Sequence, residues 1–287
     1  MSSKDALQKD LMSFLANNKV HPTFTNEYEK LNANVLHYLS SKINDGCINF
    51  DLLGYDFKVN DTSFGTVSSI DLFSLFELIL FAFYKKHLPG LNVADIGANI
   101  GVHSLAMFYA NTKHVSSYKP DRKSLHARLS ANLRLNSVPP SCQTTIYSAV
   151  SCIDTTSSFV RVIGNTTSSH LSGLKVPYGD TETFDVDVVN FGRLVNKYNF
   201  AKIDAEGAEA DILSSISPSH FDDFSCFIEI GSSTDRLRLE SIFHKLYRNG
   251  VYFFPQSLSW AKASSICDLP SHWSHGNCFV GKEFPSF

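Results

Sequence analysis

The sequence predicts a doubly wound α/β fold, a mostly parallel sheet with helices on both faces. Three observations predict it. From Leu91 onward, short apolar runs alternate with segments of helical periodicity. The first of these runs ends on a glycine that leads into a helix, Val93-Ala94-Asp95-Ile96-Gly97-Ala98-Asn99-Ile100-Gly101. The chain has 287 residues, 43% of them hydrophobic, enough for one sizeable core or one core with a small appendage.

The formal net charge is -3, with 18% charged residues. A chain so near neutral lacks the broad basic field of a strong nucleic-acid binder. The most apolar run, residues 70–84, is interrupted by Asp71 and Glu77. It is also shorter than the ~20 residues a membrane-spanning helix needs. The N-terminus does not read as a secretion signal, because Lys9 and Asp10 break its first apolar stretch. Six cysteines scattered along the chain are no disulfide framework. A soluble protein of a reducing compartment, the cytoplasm, is expected.

The elements follow in order. Residues 1 to about 47 read as helical and polar, with Leu31, Val35, Leu36 and Leu39 at helical spacing. Residues 48–52 and 55–59 alternate as short strands about a turn at Gly54. A largely apolar helix is expected over 69–87, stopped by Pro89-Gly90. The α/β alternation then places strands at 91–96, 114–118, 144–150, 199–203, 224–230, 251–254 and 277–281. Helices are expected at 102–110, 121–136, 208–216 and 234–247. Residues 151–183 break the rhythm with Ser, Thr and Gly around a strand near 159–163, and a late helix is expected near 188–198. This polar insertion reads either as a substrate contact or as a surface excursion. The division is an N-terminal extension over 1–68 and an α/β domain over 69–287.

At the glycine turn, Gly97 permits a positive φ and lets a ligand approach the backbone. The helix behind it offers free N–H groups, and Asp95 adds a carboxylate suited to a cationic group. The Gly-x-x-x-Gly spacing of Gly97 and Gly101 differs from the dinucleotide pattern Gly-x-Gly-x-x-Gly, which favours an adenosyl ligand without a pyrophosphate. Packing alone could also account for a glycine turn in an α/β domain.

The stretch Asp95-Ile96-Gly97-Ala98-Asn99-Ile100-Gly101 resembles the first motif of the FkbM family of S-adenosylmethionine-dependent methyltransferases. About a hundred residues on, Lys202-Ile203-Asp204-Ala205-Glu206-Gly207-Ala208-Glu209 resembles the family's second signature, usually Lys-Ile-Asp-Val-Glu-Gly-Ala-Glu. Weaker similarities lie at 129–136, 227–230 and 275–280, so the resemblance covers roughly 69–283. It implies a class I methyltransferase (Rossmann-like) seven-stranded sheet of order 3-2-1-4-5-7-6, with the last strand antiparallel. It also implies S-adenosyl-L-methionine as cofactor, held by Asp95, Gly97, Asn99 and Gly101, and O-methylation of a hydroxyl on a glycan or small molecule.

One position departs from the pattern. The family's second strand usually ends in Glu-Pro, and that Glu accepts hydrogen bonds from both ribose hydroxyls. Here the segment is Tyr118-Lys119-Pro120-Asp121. An ammonium cannot accept hydrogen bonds, and losing a charged acceptor costs about 1.5–3 kcal/mol. Three readings are open: Asp121 takes over the ribose, Lys119 donates to a ribose oxygen, or the fold persists as a binding protein without transfer.

Lys202, Asp204 and Glu206 alternate along a strand end, so period two puts them on one face. In an open α/β sheet the ligand crevice lies beyond the carboxyl ends of the strands. O-methylation needs alignment of oxygen, methyl and sulfur, and removal of the hydroxyl proton. Asp204 and Glu206 are the candidate bases, with Lys202 as their partner; simple pairing of Lys202 with Glu206 is the structural alternative. Glu229 and His170 are further base candidates, and His103 reads as packing or as facing the cofactor. Cys267, His272, His275 and Cys278 are zinc-ligand types at a spacing that matches no common zinc module, so no metal is expected. The absence of an Asn/Asp-Pro-Pro-Tyr/Phe motif after the fourth strand argues against base N-methylation. The expected acceptor is a small molecule or glycan.

Overall fold

A computed structural model describes residues 3–16, 26–63, 67–121, 125–163, 168–176, 179–272 and 276–285. The chain opens with α1 (Ser3–Ala16) and α2 (Asn26–Ser40), followed by β1 (Ile43–Asn44), β2 (Cys47–Phe50) and β3 (Phe57–Asn60) in a small antiparallel sheet. The apolar spacing noted above is the packed face of α2, which buries Tyr28, Leu31, Val35, Tyr38 and Leu39. The helix expected over 69–87 is in fact broken. A 3-10 turn (Ser69–Phe73) leads to an extended Ser74, and α3 (Leu75–His87) starts afresh. Asn32 of α2 fixes the break, its Oδ1 accepting from the Leu75 N–H at 2.8 Å.

The large sheet begins with β4 (Asn92–Ile96), β5 (His114–Tyr118) and β6 (Gln143–Ile146), and four further strands join it after a second sheet intervenes in the chain. That second sheet holds β7 (Ser148–Ser151), β8 (Thr155–Val162), β9 (His170–Leu171) and β10 (Thr181–Asn190) in the order β7-β10-β8-β9. The main sheet resumes with β11 (Phe200–Ile203), β12 (Ser225–Glu229), β13 (Tyr252–Pro255) and β14 (Asn277–Gly281). Its order is β6-β5-β4-β11-β12-β14-β13, and β14 runs antiparallel to both neighbours. This is the expected 3-2-1-4-5-7-6 arrangement. The connecting helices are α4 (Val102–Tyr109), α5 (Leu125–Leu135), α6 (Glu209–Ser214) and α7 (Arg236–Arg248).

Two expectations need correction. The single strand expected over 144–150 is two, because the chain leaves the main sheet at Tyr147 and β7 pairs in parallel with β10. The helix expected near 188–198 does not form. Thr181–Asn190 is a strand in which Val186 and Val188 are buried between exposed Asp185 and Asp187, a period-two pattern that β-branched residues favour. It ends where the Asn190 side chain accepts from the Gly192 N–H at 2.9 Å, and two 3-10 turns follow.

Strand alternation divides the core between the two faces of the main sheet. Val93, Phe200, Phe227 and Phe279 pack with α3, α4 and the N-terminal elements. Ala94, Ile96, Ala201, Ile203, Cys226 and Ile228 lie in the other cluster, which also holds α6 and α7 residues. Among the described residues no helix is long and apolar enough to cross a membrane.

Candidate functional site

The carboxyl ends of β4, β5, β11 and β12 open into one cleft of about 950 Å³. This is the crevice expected of an open α/β sheet, at the upper end of the usual range for ligand pockets. α2 and the turn before α3 form one wall, and Ser168, Ser169, Leu171 and Lys175 of the insertion line the cleft too.

The glycine turn sits at the centre. Gly97 has φ +83 and Gly101 φ +89, both in the left-handed region that favours glycine. A Cβ on Gly97 would lie 1.8 Å from the Asp204 carbonyl oxygen. The two central strand ends therefore meet backbone to backbone, and the Asp204 N–H donates to the Ile96 carbonyl at 3.0 Å. Asn99 is also left-handed, at φ +49, and among the described residues its buried Oδ1 has no hydrogen-bond partner.

Of the residues singled out from sequence, Gly97, Asn99, Lys119, Asp204 and Glu206 line the cleft, whereas Asp95, Gly101, Asp121 and Lys202 do not. Asp95 is fully buried behind the turn, where its Oδ2 accepts from Ser104 Oγ at 2.5 Å and Ser104 in turn contacts Ser117 Oγ at 2.7 Å. Asp121 is buried against Arg161 of β8 at 3.5 Å, and the same guanidinium holds Glu182 of β10. Lys119 lines the cleft with its side chain buried, and none of the described residues bonds or pairs with its ammonium. Burial lowers its pKa against the opposing pull of Asp121, Asp204 and Glu206.

The acidic loop after β11 separates into two ion pairs. Register places Lys202 beside Asp95 on the α3/α4 face of the sheet. Lys202 Nζ meets Asp204 Oδ2 at 2.7 Å, so its partner is Asp204 and not Glu206. Burial alone would lower the lysine's pKa, but Asp204, Asp95 and Glu77 raise it above the ordinary value. Asp204 responds in kind: burial is outweighed by Lys202, His103 and Lys119, and the carboxyl sits below its usual range. Glu206 has a left-handed backbone, φ +53, and pairs with Lys175 of the insertion at 2.8 Å. Burial and the neighbouring Asp204 raise its pKa, against Lys175 and Lys119. Glu229, at the end of β12, lines the cleft and is pushed well above the ordinary value by burial and by Asp204.

Two other residues matter here. Glu209 lies in the first turn of α6 and holds the acidic loop from behind. Its carboxylate accepts from the Ala205 N–H at 2.9 Å, the Gly207 N–H at 3.0 Å and Thr234 Oγ1 at 3.0 Å. Burial nonetheless raises its pKa to about 7. Glu77 of α3 lines the cleft and reaches His103 Nε2 at 3.1 Å. No sequence motif flags Glu77, because its place comes from packing α3 against α4. His170 does not line the cleft; its Nδ1 is 2.8 Å from the Ser168 carbonyl. His272 lines the cleft, and His275 lies outside the described residues.

Comparison with known proteins agrees with the motifs. The family description "Methyltransferase FkbM domain" matches residues 95–253, more than half of the chain. No curated protein matches. Among solved structures, the ribosomal protein L11 methylase of Lactobacillus delbrueckii subsp. bulgaricus is 15% identical, with a TM-score of 0.35 over 71% of this chain and 76% of that one. The SAM-dependent methyltransferase of Agrobacterium tumefaciens is 11% identical, TM-score 0.41, covering 84% and 71%. The spermidine synthase of Thermotoga maritima is 9% identical, TM-score 0.40, covering 86% and 69%. Likenesses this distant add nothing about the reaction; the family match, joined to the sheet order and the two motifs at adjacent strand ends, is what counts. The chain belongs to the FkbM family of S-adenosylmethionine-dependent methyltransferases.

Proposed function

We propose that the chain methylates a hydroxyl of a sugar, glycan or small metabolite. The observation that carries this reading is Glu206, a cleft-lining carboxyl of raised pKa beside a carboxylate kept ionised by its own lysine. A hydroxyl must lose its proton during transfer, and a carboxyl tuned upward is the better base near neutral pH. Asp204, held by Lys202, supplies fixed negative potential.

The cleft suits the cofactor's charge. Glu77, Asp204 and Glu206 outnumber Lys119 and Lys175 along it, which favours a sulfonium cation. Gly97 and Asn99 would hold the cofactor at the turn, with Asn99 Oδ1 an acceptor ready for a ligand donor. Asp95 and Gly101 would act from behind, shaping the turn. When bound, S-adenosylmethionine supplies an electrophilic methyl. The chain's part is to orient the acceptor oxygen and take its proton.

The near-neutral charge supports a small-molecule or glycan acceptor over nucleic acid, and six free thiols suit the cytoplasm. Residues 1–68 serve in this reading as an extension to a catalytic domain over 69–287. The test is to incubate the protein with isotopically labelled S-adenosylmethionine and hydroxyl-bearing acceptors, then locate the label by mass spectrometry. Label on nitrogen would overturn the hydroxyl assignment.

A second reading, a binding protein without transfer, is favoured by Lys119 alone. Titration with S-adenosylhomocysteine separates the two, since binding weaker than millimolar would support the second.

A further inference from the structure

One wall of the cleft lies outside the family match and comes from α2 and the turn before α3. Its chemistry is specific. Phe76 presents a half-buried ring to the cleft, and Tyr28 backs that ring at 5.1 Å between centroids. Asn32 lines the same wall. Its Oδ1 is tied down by the Leu75 N–H at 2.8 Å, which fixes the amide plane and leaves Nδ2 as an oriented donor. Asp71 lines it as well. Its Oδ2 accepts from the Ser68 N–H at 2.7 Å and Ser68 Oγ at 2.9 Å, which leaves Oδ1 as an oriented acceptor.

A wall that carries an apolar ring together with one fixed donor and one fixed acceptor complements a ligand with an apolar face and hydroxyls at its edge. A pyranose ring has that form: its axial C–H groups make one face apolar, and its equatorial hydroxyls both donate and accept. Because both polar groups are already held by backbone or neighbouring bonds, little side-chain freedom is lost on binding. The wall is also tied to the cofactor side, since Glu77, next after Phe76, reaches His103 on α4.

We propose that this wall is the acceptor subsite, where a pyranose ring lies against Phe76 while Asn32 and Asp71 hydrogen-bond its hydroxyls. The proposal rests on reading the cleft as a hydroxyl methyl-transfer site, and it adds the residues that select the acceptor.

The test uses the full chain and a panel of methyl pyranosides of gluco, manno and galacto configuration. Saturation-transfer NMR and calorimetry report pyranoside binding, and a parallel titration reports S-adenosylhomocysteine. N32D keeps the Oδ1 acceptor for Leu75 and removes the donor, so the helix start is preserved; F76L keeps an apolar side chain and removes the flat face. At least one pyranoside should bind, roughly tenfold more weakly in each variant, with S-adenosylhomocysteine affinity within about twofold of wild type. Two results would overturn the subsite: no pyranoside binds the wild-type chain, or pyranosides bind both variants as they bind wild type. Loss of S-adenosylhomocysteine binding by the wild-type chain is the separate failure of the methyl-transfer reading.

Discussion

Gly97 and Asp204 share a space too small for a methyl group: a Cβ on Gly97 would meet the Asp204 carbonyl oxygen at 1.8 Å and its carbonyl carbon at 2.8 Å. The two family motifs are thereby in direct backbone contact. The glycine is required first for the junction of β4 and β11, and through it for the shape of the cleft.

Gly97→Ala should therefore lose both stability and ligand affinity. Backbone cannot swing aside as a side-chain tip can, and φ +83 adds strain for any L-residue. A loss of about 1–3 kcal/mol is expected, read by urea unfolding, with weaker S-adenosylhomocysteine binding by calorimetry. An unchanged unfolding midpoint would show that the junction relaxes freely.

Lys119→Gln should tighten S-adenosylhomocysteine binding severalfold. It removes a buried ammonium and adds a neutral acceptor, and one such hydrogen bond is worth about 0.5–1.5 kcal/mol. Lys119→Glu should gain less, because Asp121, Asp204 and Glu206 already surround the site with negative charge. Weaker binding by the Gln variant would mean that the ammonium itself contacts the ligand.

Glu206→Gln should lower turnover by roughly 10²–10⁴ while leaving cofactor affinity nearly unchanged. A base works ionised, and burial holds the Glu206 pKa above the usual carboxylate value. The wild-type rate should thus rise with pH through a range higher than that of an ordinary glutamate, and the variant should lack that limb. Asp204→Asn is a different experiment: it strands the buried Lys202 ammonium, at a cost of about 3–5 kcal/mol. If Glu206→Gln turns over normally, Glu229 becomes the candidate base.

Glu209→Gln should flatten the pH dependence of stability. A carboxyl whose folded pKa is about 7, against an ordinary 4.5, binds its proton more tightly in the folded state. Its stabilising contribution is full below about pH 4.5 and is lost as pH rises toward 7. Urea unfolding of the two proteins across that window measures the difference. Parallel curves would show that the hydrogen bonds from Ala205, Gly207 and Thr234 keep the carboxylate ionised.

The sequence by itself determined the α/β class, the positions of the main-sheet strands and the two motifs, because each depends on local period and on glycines whose backbone angles other residues resist. It also named Asp204 and Glu206, though not through period two: β11 ends at Ile203, so both stand on the loop beyond the strand, where that alternation no longer applies, and Lys202 does not share their place along the cleft. What only the tertiary structure decided depends on long-range partners. Lys202 pairs with Asp204 because Glu206 turns away in a left-handed backbone toward Lys175, 31 residues distant. Asp95 faces Ser104 and Ser117 inside the fold because its strand register aims it at α4, away from the cleft. Residues 181–190 form a strand, where a helix was expected nearby, because β7 and β8 flank them. The wall of Tyr28, Asn32 and Phe76 arises from packing α2 against α3, and no spacing along the chain records which helices will meet across a cleft.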